Sequence, residues 1–249
     1  ALNADQVKEL YDYQKDYFLG SRSSVTLYKG HLGIGVAEPS GQLELAGDER
    51  LQQYPPGPMD GYETLIPGHG VFCASASSAP NAAYNPYHAF NGITTSGNGS
   101  WHSGPNYVTN GGNANISFLS WSGSAVHNGD YLSLKLPYKL KLRSINIKAR
   151  TGYIYQRPKH FTIIGSNDGV NWETLYQETT RTGSSTTIPD NDSHIMTGTS
   201  ANKTFKYFAI VILNGASDNI HNHVSIGEWE LFGTPGPTTL DKGSLSLTR

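Results

Sequence analysis

Charge is scarce in this chain. Lys, Arg, Asp and Glu make up 15% of its 249 residues, and 18 basic against 20 acidic side chains leave a net charge of −2. That near balance excludes the basic footprint of a protein that binds nucleic acid or an acidic membrane. Cysteine is almost absent. The single Cys73 excludes an internal disulfide, so the fold assembles in a reducing compartment or is stabilised by other means. A free cysteine of this kind reads as a small buried hydrophobe. No apolar run approaches the roughly 20 residues a membrane-crossing helix needs. The first residues, ALNADQVKEL, show neither the basic nor the apolar segment of a signal peptide. No G-x-S-x-G, H-E-x-x-H or phosphate-binding glycine loop is found, which leaves hydrolytic and nucleotide chemistry without a motif.

What the chain has in quantity is turn and aromatic material: 28 Gly, 13 Pro and 15 Tyr. Glycine, serine, threonine and asparagine around short apolar runs suit a mostly β protein, a sandwich with long loops, because each turn needs residues that tolerate positive φ or bond their own backbone. The length accommodates one ordinary domain and a smaller appendage.

Residues 1–19 predict a helix. Asn3 or Asp5 is placed to cap it, and Val7, Leu10, Tyr11 and Phe18 fall on one face. So short a helix is marginal alone, which favours self-association. After Gly20 the period changes to two, and residues 20–60 predict a β-rich base. Lys29-Gly30-His31-Leu32-Gly33-Ile34-Gly35, followed by Pro39-Ser40-Gly41-Gln42-Leu43-Glu44-Leu45, resembles the glycine-rich element of viral and phage fibre proteins, where it sits in intertwined trimeric β-structure. An ordinary meander packed on the main domain is the alternative. The pattern T-L-x-K-G-x-L-x-(I/L) starts at Thr26 and again at Thr239. Such an echo implies equivalent structural roles, with residues 235–249 pairing back onto the base. Tyr54-Pro55-Pro56-Gly57-Pro58 and Thr234-Pro235-Gly236-Pro237 read as semi-rigid linkers that bracket the region between them.

That region carries the most specific phrase in the chain. In Phe161–Leu175, two strand-like runs flank Asn167-Asp168-Gly169, a strong hairpin signal. The whole phrase resembles the discoidin, or coagulation-factor type C, domain, whose signature is a strand, S-N-D-G-x-N-W and a second strand. Further segments follow in the family's order: Ala74–Ser78, Tyr87–Gly92 with Trp101 after it, Tyr131–Pro137, Ser144–Arg150, Lys206–Ile212 and Ile226–Gly233. The resemblance covers residues 68–234 and implies a jelly-roll β-sandwich head that binds rather than catalyses.

In the resembled family, ligands bind where three loops project, which here are Ser96–Thr109, Thr151–Lys159 and Asn214–Val224. Their aromatic rings suit the apolar face of a pyranose, and their polar groups suit its hydroxyls. An arginine fork also suits a uronic or sialic carboxylate. Arg157, read as a loop-tip residue, and Tyr155 are the leading candidate contacts, joined by Tyr153, Arg150, Trp101, His102 and His221. Trp101 also reads as core. His221 and His223 alternate without a neighbouring acid or cysteine, so they are not read as a metal site. Arg150-Thr151-Gly152 departs from the R-G-D-like run of fucose-binding relatives, and these loops lack the apolar spikes of lipid-binding ones. Asp190, Asp192 and His194 read as part of a polar surface loop. The resemblance further implies a structural calcium held by Asn91, Thr95 and Glu228. Asn91 stands where the family has Asp, which keeps an oxygen but loses a charge, so occupancy stays open.

The expectation is therefore a carbohydrate-binding adhesion or receptor-binding fibre protein and not an enzyme. It is a homotrimer at a virion surface or outside the cell, with a cell-surface glycan as partner. No nucleic acid and no membrane insertion are expected. The alternative is a structural virion or matrix protein whose head makes protein–protein contacts.

Overall fold

The computed structural model describes residues 3–4, 6–8, 25–34, 38–39, 42–45, 51–95, 99–105, 129–182, 188–216, 223–236 and 238–240. The protein is mostly β. It divides into two compact units, residues 1–49 with 235–249, and residues 50–234. Among the described residues no helix is long and apolar enough to cross a membrane.

In the first unit, Asn3 starts a helical segment seen at residues 4 and 6–8. Its Oδ1 accepts the Gln6 N–H at 2.8 Å, and its own N–H donates to Gln6 Oε1 at 3.1 Å, a reciprocal capping box. The rest of the expected helix lies outside the described residues. Strands β1 (Val25–Tyr28), β2 (His31–Ile34) and β3 (Leu43–Leu45) form one sheet with β15 (Thr238–Leu240), in the order β1-β2-β3-β15. The β1–β2 turn is made by Lys29 and Gly30, both at positive φ, the geometry that lets a two-residue hairpin match strand twist. Register sets Val25 opposite Ile34 and Leu27 opposite Leu32, so four apolar side chains share one face. β3 runs parallel to β2 and antiparallel to β15, so this sheet holds the first copy of the echoed sequence and Thr239-Leu240, which open the second; the rest of the second copy lies outside the described residues.

The second unit contains β4 (Gln52–Tyr54), β5 (Glu63–Ile66), β6 (Gly70–Ala76), β7 (Trp101–His102), β8 (Asp130–Lys148), β9 (Pro158–Ser166), β10 (Trp172–Glu178), β11 (Asn191–Ile195), β12 (Phe205–Gly215), β13 (Ser225–Ile226) and β14 (Glu228–Pro235). Nine of these strands join in the path β10-β9-β12-β8-β14-β4, with β11 and β6 also on β8 and β5 on β6. β8 is long enough to serve two layers. Residues 130–140 pair with β12, and Leu132–Lys135 with β6, whereas Ser144–Lys148 pair with β11. The result is the expected jelly-roll sandwich. Alternation supplies its core: Leu132, Leu134, Phe161, Ile163, Phe208, Ile210 and Ile212 come from one layer, and Ile145, Ile147, Trp229 and Leu231 from the other, all buried. Outward-facing Ile164, Ala209 and Val211 make a smaller second cluster with Tyr131 and Trp172.

The Asn167–Gly169 phrase does form a hairpin between β9 and β10. Asp168 Oδ1 accepts the N–H groups of Val170 and Asn171 at 2.8 and 2.7 Å, and Gly169 takes φ +76°. The Asn171 side-chain amide, donating to Asp168 Oδ2 at 2.6 Å, together with these backbone bonds holds the Asp168 carboxyl well below the usual carboxylate range.

Three readings change. Tyr54–Pro58 does not act as a linker: Tyr54 and Pro55 are buried, and β4 pairs with β14, so the sandwich begins near residue 50. A proline run can also end an edge strand, and periodicity does not separate the two. Cys73 is half-buried on β6 and not in the core. Asp192 and His194 lie on β11, both buried, and not in a surface loop.

Candidate functional site

The site is assembled from short pieces at the ends of strands. Asn81 Oδ1 accepts the Ala83 N–H at 2.9 Å and caps the 3₁₀ turn Ala82–Tyr84, which positions Tyr84. β7 and β13 form a two-stranded ribbon that sets His102 opposite Ser225. Ser103 and Val224 lock the ribbon, Val224 N–H donating to Ser103 Oγ and Ser103 N–H to the Val224 carbonyl, each at 3.0 Å. After β8 the chain turns through Arg150 to Tyr153 and a second 3₁₀ turn, Ile154–Gln156. Gly227 presses on this exit, since a Cβ there would lie 2.6 Å from the Ala149 carbonyl oxygen.

These pieces bring together Tyr84, His102, Arg150, Tyr153, Tyr155, Gln156 and His223. The His102 ring stacks on Tyr84 at 4.0 Å between centroids and lies 6.4 Å from His223. The Arg150 guanidinium sits 3.8 Å over the Tyr153 ring and 5.4 Å from that of Tyr84, cation–π geometry in both cases. Tyr155 meets Tyr153 edge-on at 5.9 Å. Gln156 Oε1 accepts from Ser225 Oγ at 3.1 Å and faces Arg150 Nη1 at 3.5 Å. Burial pushes His102 down to about 3, and the nearby Arg150 and His223 add to the effect. His102 is therefore neutral at ordinary pH. Among the described residues its Nε2, together with His223 Nδ1 and Arg150 Nε, has no hydrogen-bond partner.

Of the expected contacts, Arg150, Tyr153, Tyr155 and His102 belong to this cluster. Trp101 does not. It is wholly buried, with Nε1–H donating to the Ser78 carbonyl at 2.9 Å, so its ring has no face for a ligand. Arg157 is not a loop tip either. Only 5% of its side chain is exposed, and Nη2 pairs with Asp190. The short turn after Tyr153 runs straight into β9 and draws Arg157 inward. His221 lies outside the described residues. His223, on an expected loop, joins the cluster; Tyr84 and Gln156 were not anticipated in it, and the signal for Tyr84 was Asn81 and Pro86 bracketing a short turn.

The residues implied for calcium lie elsewhere. Glu228 is buried and accepts the Gly92 N–H. Burial, aided by Glu230, pushes its carboxyl up to about 7 against the opposing Gly92 hydrogen bond and Lys148. Asn91 Oδ1 accepts the Ile93 N–H at 2.9 Å, and Asn91 Nδ2 faces His88 Nδ1 at 3.3 Å. Thr95 is exposed. Among the described residues no three of His, Cys, Asp and Glu come together. Oxygens already occupied by N–H donors do not fit a hard cation that needs several free ones, and no role is derived for calcium. Glu228 instead lines a cleft of about 580 Å³ with Gln53, Pro56, Phe90 and Trp229.

A second polar group is closed off. Arg181 holds Asp192 at 2.7 and 3.0 Å, His194 Nε2 lies 3.0 Å from Asp192, and its Nδ1 is 2.8 Å from the Tyr176 hydroxyl. It braces β11 against β10 and the segment that follows β10.

A family model described as the F5/8 type C domain matches residues 74–228. Solved structures similar to the chain include a family 32 carbohydrate-binding module from a family 31 glycoside hydrolase of Clostridium perfringens, with 17% identity over 64% of this chain and 87% of that one, at a TM-score of 0.46. The family 32 module of C. perfringens NanJ, solved with galactose, is 18% identical over 65% and 93%, at a TM-score of 0.40. The family 32 module of AlyQ, solved with 4,5-unsaturated mannuronic acid, is 16% identical over 64% and 93%, at a TM-score of 0.40. No curated protein matches the chain.

Proposed function

The chain belongs to the F5/8 type C domain family, and from that premise we propose that it is a carbohydrate-binding protein that engages glycans through the Tyr84–Arg150–Tyr153 cluster. One observation carries the reading: aromatic rings, a guanidinium and two imidazoles converge at one end of the sandwich with polar atoms left unsatisfied. Rings for stacking beside directional donors and acceptors are what a pyranose demands. The arrangement supports binding rather than turnover, since no side chain in it is paired as nucleophile and base.

The finer reading is a receptor-binding or adhesion head on a self-associating base, displayed outside the cell or on a virion. Its support is the apolar face of β1 and β2. Val25 and Leu27 are 62% and 76% exposed, and Leu32 and Ile34 37% and 40%, a continuous patch of the kind that marks an interaction surface. A homotrimer would cover it and present three sites together. The experiment is a glycan array probed with the intact chain and with Tyr153→Ala. Binding that fails in the variant is expected; an intact chain that binds no glycan would overturn the reading and favour a head that contacts protein.

A further inference from the structure

We infer that the Arg150 site takes an acidic sugar, one whose carboxylate supplies the counter-charge that no described residue provides; this rests on the glycan-binding reading above. Two arginines and one lysine elsewhere in the sandwich have acidic partners. Arg157 has Asp190, Arg181 has Asp192 and Glu178, and Lys148 has Glu230. Arg150 is 5% exposed and makes no ion pair among the described residues. Among the described residues its Nη1 has only the Gln156 oxygen at 3.5 Å, which Ser225 already uses, and its Nε has no partner.

A buried guanidinium without a counter-ion is costly. The rings of Tyr153 and Tyr84 offset part of that cost through their π faces, but they neutralise no charge. The neighbouring imidazoles do not help: His102 and His223 bring donors or acceptors and no negative charge. A neutral hexose would satisfy hydrogen bonds here and still leave the cation unpaired. A planar carboxylate does both, because it matches the planar guanidinium fork.

Arg150 also lines a cleft of about 330 Å³ with Thr94, Lys148, Thr151, Asp190 and Asn191. Asp190 is the acidic member of this set, and it is engaged by Arg157. The hydroxyls of Thr94 and Thr151 lie 3.2 Å apart on the rim and suit the ring hydroxyls of a bound sugar. Hexuronates and sialic acids share the carboxylate, so both are tested.

The experiment measures binding of the intact chain to oligogalacturonate, its methyl ester, sialyllactose and lactose. Arg150→Gln and Arg150→Lys are run in parallel, and thermal unfolding checks that each variant folds. The expected result is a preference for oligogalacturonate or sialyllactose, whichever it proves to be, over the ester and lactose. Arg150→Gln should weaken carboxylate binding roughly ten- to a hundred-fold. Arg150→Lys should recover only part of it, since an ammonium lacks the fork. Should Arg150→Gln fail to fold, methyl esterification of the ligand still decides. Equal affinity for the ester and the free acid, or a preference for lactose, would overturn the acidic-sugar inference and leave glycan binding standing. Binding to none of the four, nor to any glycan on the array, would overturn both.

Discussion

Arg157 shares its loop with Arg150 but already has its counter-charge in Asp190. Its stem is buried, so truncation removes packing as well as an ion pair. Arg157→Ala is expected to cost about 1–2 kcal/mol in urea unfolding while leaving glycan affinity within error; an affinity loss with unchanged stability would return Arg157 to the binding surface. The two arginines were alike in sequence, because nothing there reveals that Asp190 reaches one and that no described acid reaches the other. Tyr153, Tyr155 and His102 were legible from loop position and residue type, whereas Tyr84 lay in an Asn- and Pro-bounded turn assigned to no loop. Glu228 is a second residue whose environment decides its behaviour. An unfolded glutamate ionises near its ordinary 4.5, while burial delays this to about 7 in the fold. The folded state therefore holds the extra proton, and stability falls as pH rises through that window, by about 3 kcal/mol, then levels off. Glu228→Gln should abolish that fall, so wild type minus variant, from urea unfolding at pH 5 and pH 8, isolates it; parallel curves would refute the assignment. Calcium added at pH 8 is expected to leave the melting temperature unmoved. A saturable rise would mean that Gly92 and Asn91 yield to the ion and that the donor-set argument is wrong.

The β9–β10 hairpin was the most legible element because its chemistry is local. Asp168 bonds the backbone two and three residues on, and Gly169 needs positive φ, so four consecutive letters specify the turn. A Cβ at Gly169 would meet the Tyr207 ring at an ordinary 3.5 Å. Space is therefore no obstacle, and the cost of Gly169→Ala is conformational. It is expected to be about 1 kcal/mol by chemical denaturation, with the sandwich intact; a neutral result would mean the turn relaxes to another type. β4 was illegible for the opposite reason. Its pairing with Leu231–Gly233 of β14 joins segments from opposite ends of the domain, and no local signal distinguishes an edge strand beside prolines from a linker. β11 shows the same limit. Polar Asp192 and His194 face inward because Arg181 and Tyr176 satisfy them, partners supplied by β10 and the segment after it, distant from β11 in the sheet order.

At the scale of the molecule, the two units differ in how fully they cover their apolar surface. Residues 50–234 enclose a core with Tyr54, Trp101 and Trp229 fully buried, as a self-sufficient domain does. The small sheet of the first unit exposes Leu27 at 76% and Val25 at 62%, on strands only four residues long. A sheet this small is marginal alone, and its one-sided pattern requires a partner to bury it. The proposed self-association uses this face, and sandwich stability is then independent of it. Light scattering of the intact chain is expected to give a trimer, and the fragment 50–234 a folded monomer with an unchanged unfolding midpoint. Leu27→Asp with Ile34→Asp places charges on the same face at β1 and β2 and should dissociate the intact chain without unfolding the sandwich. Because three sites on one assembly raise effective concentration, the dissociated variant should lose roughly a hundred-fold or more in avidity for a multivalent glycan surface. Its affinity for a single soluble oligosaccharide should stay unchanged. A monomer for the intact chain, or equal surface binding by trimer and dissociated variant, would remove self-association from the function and leave the sandwich as the whole of the binding machinery.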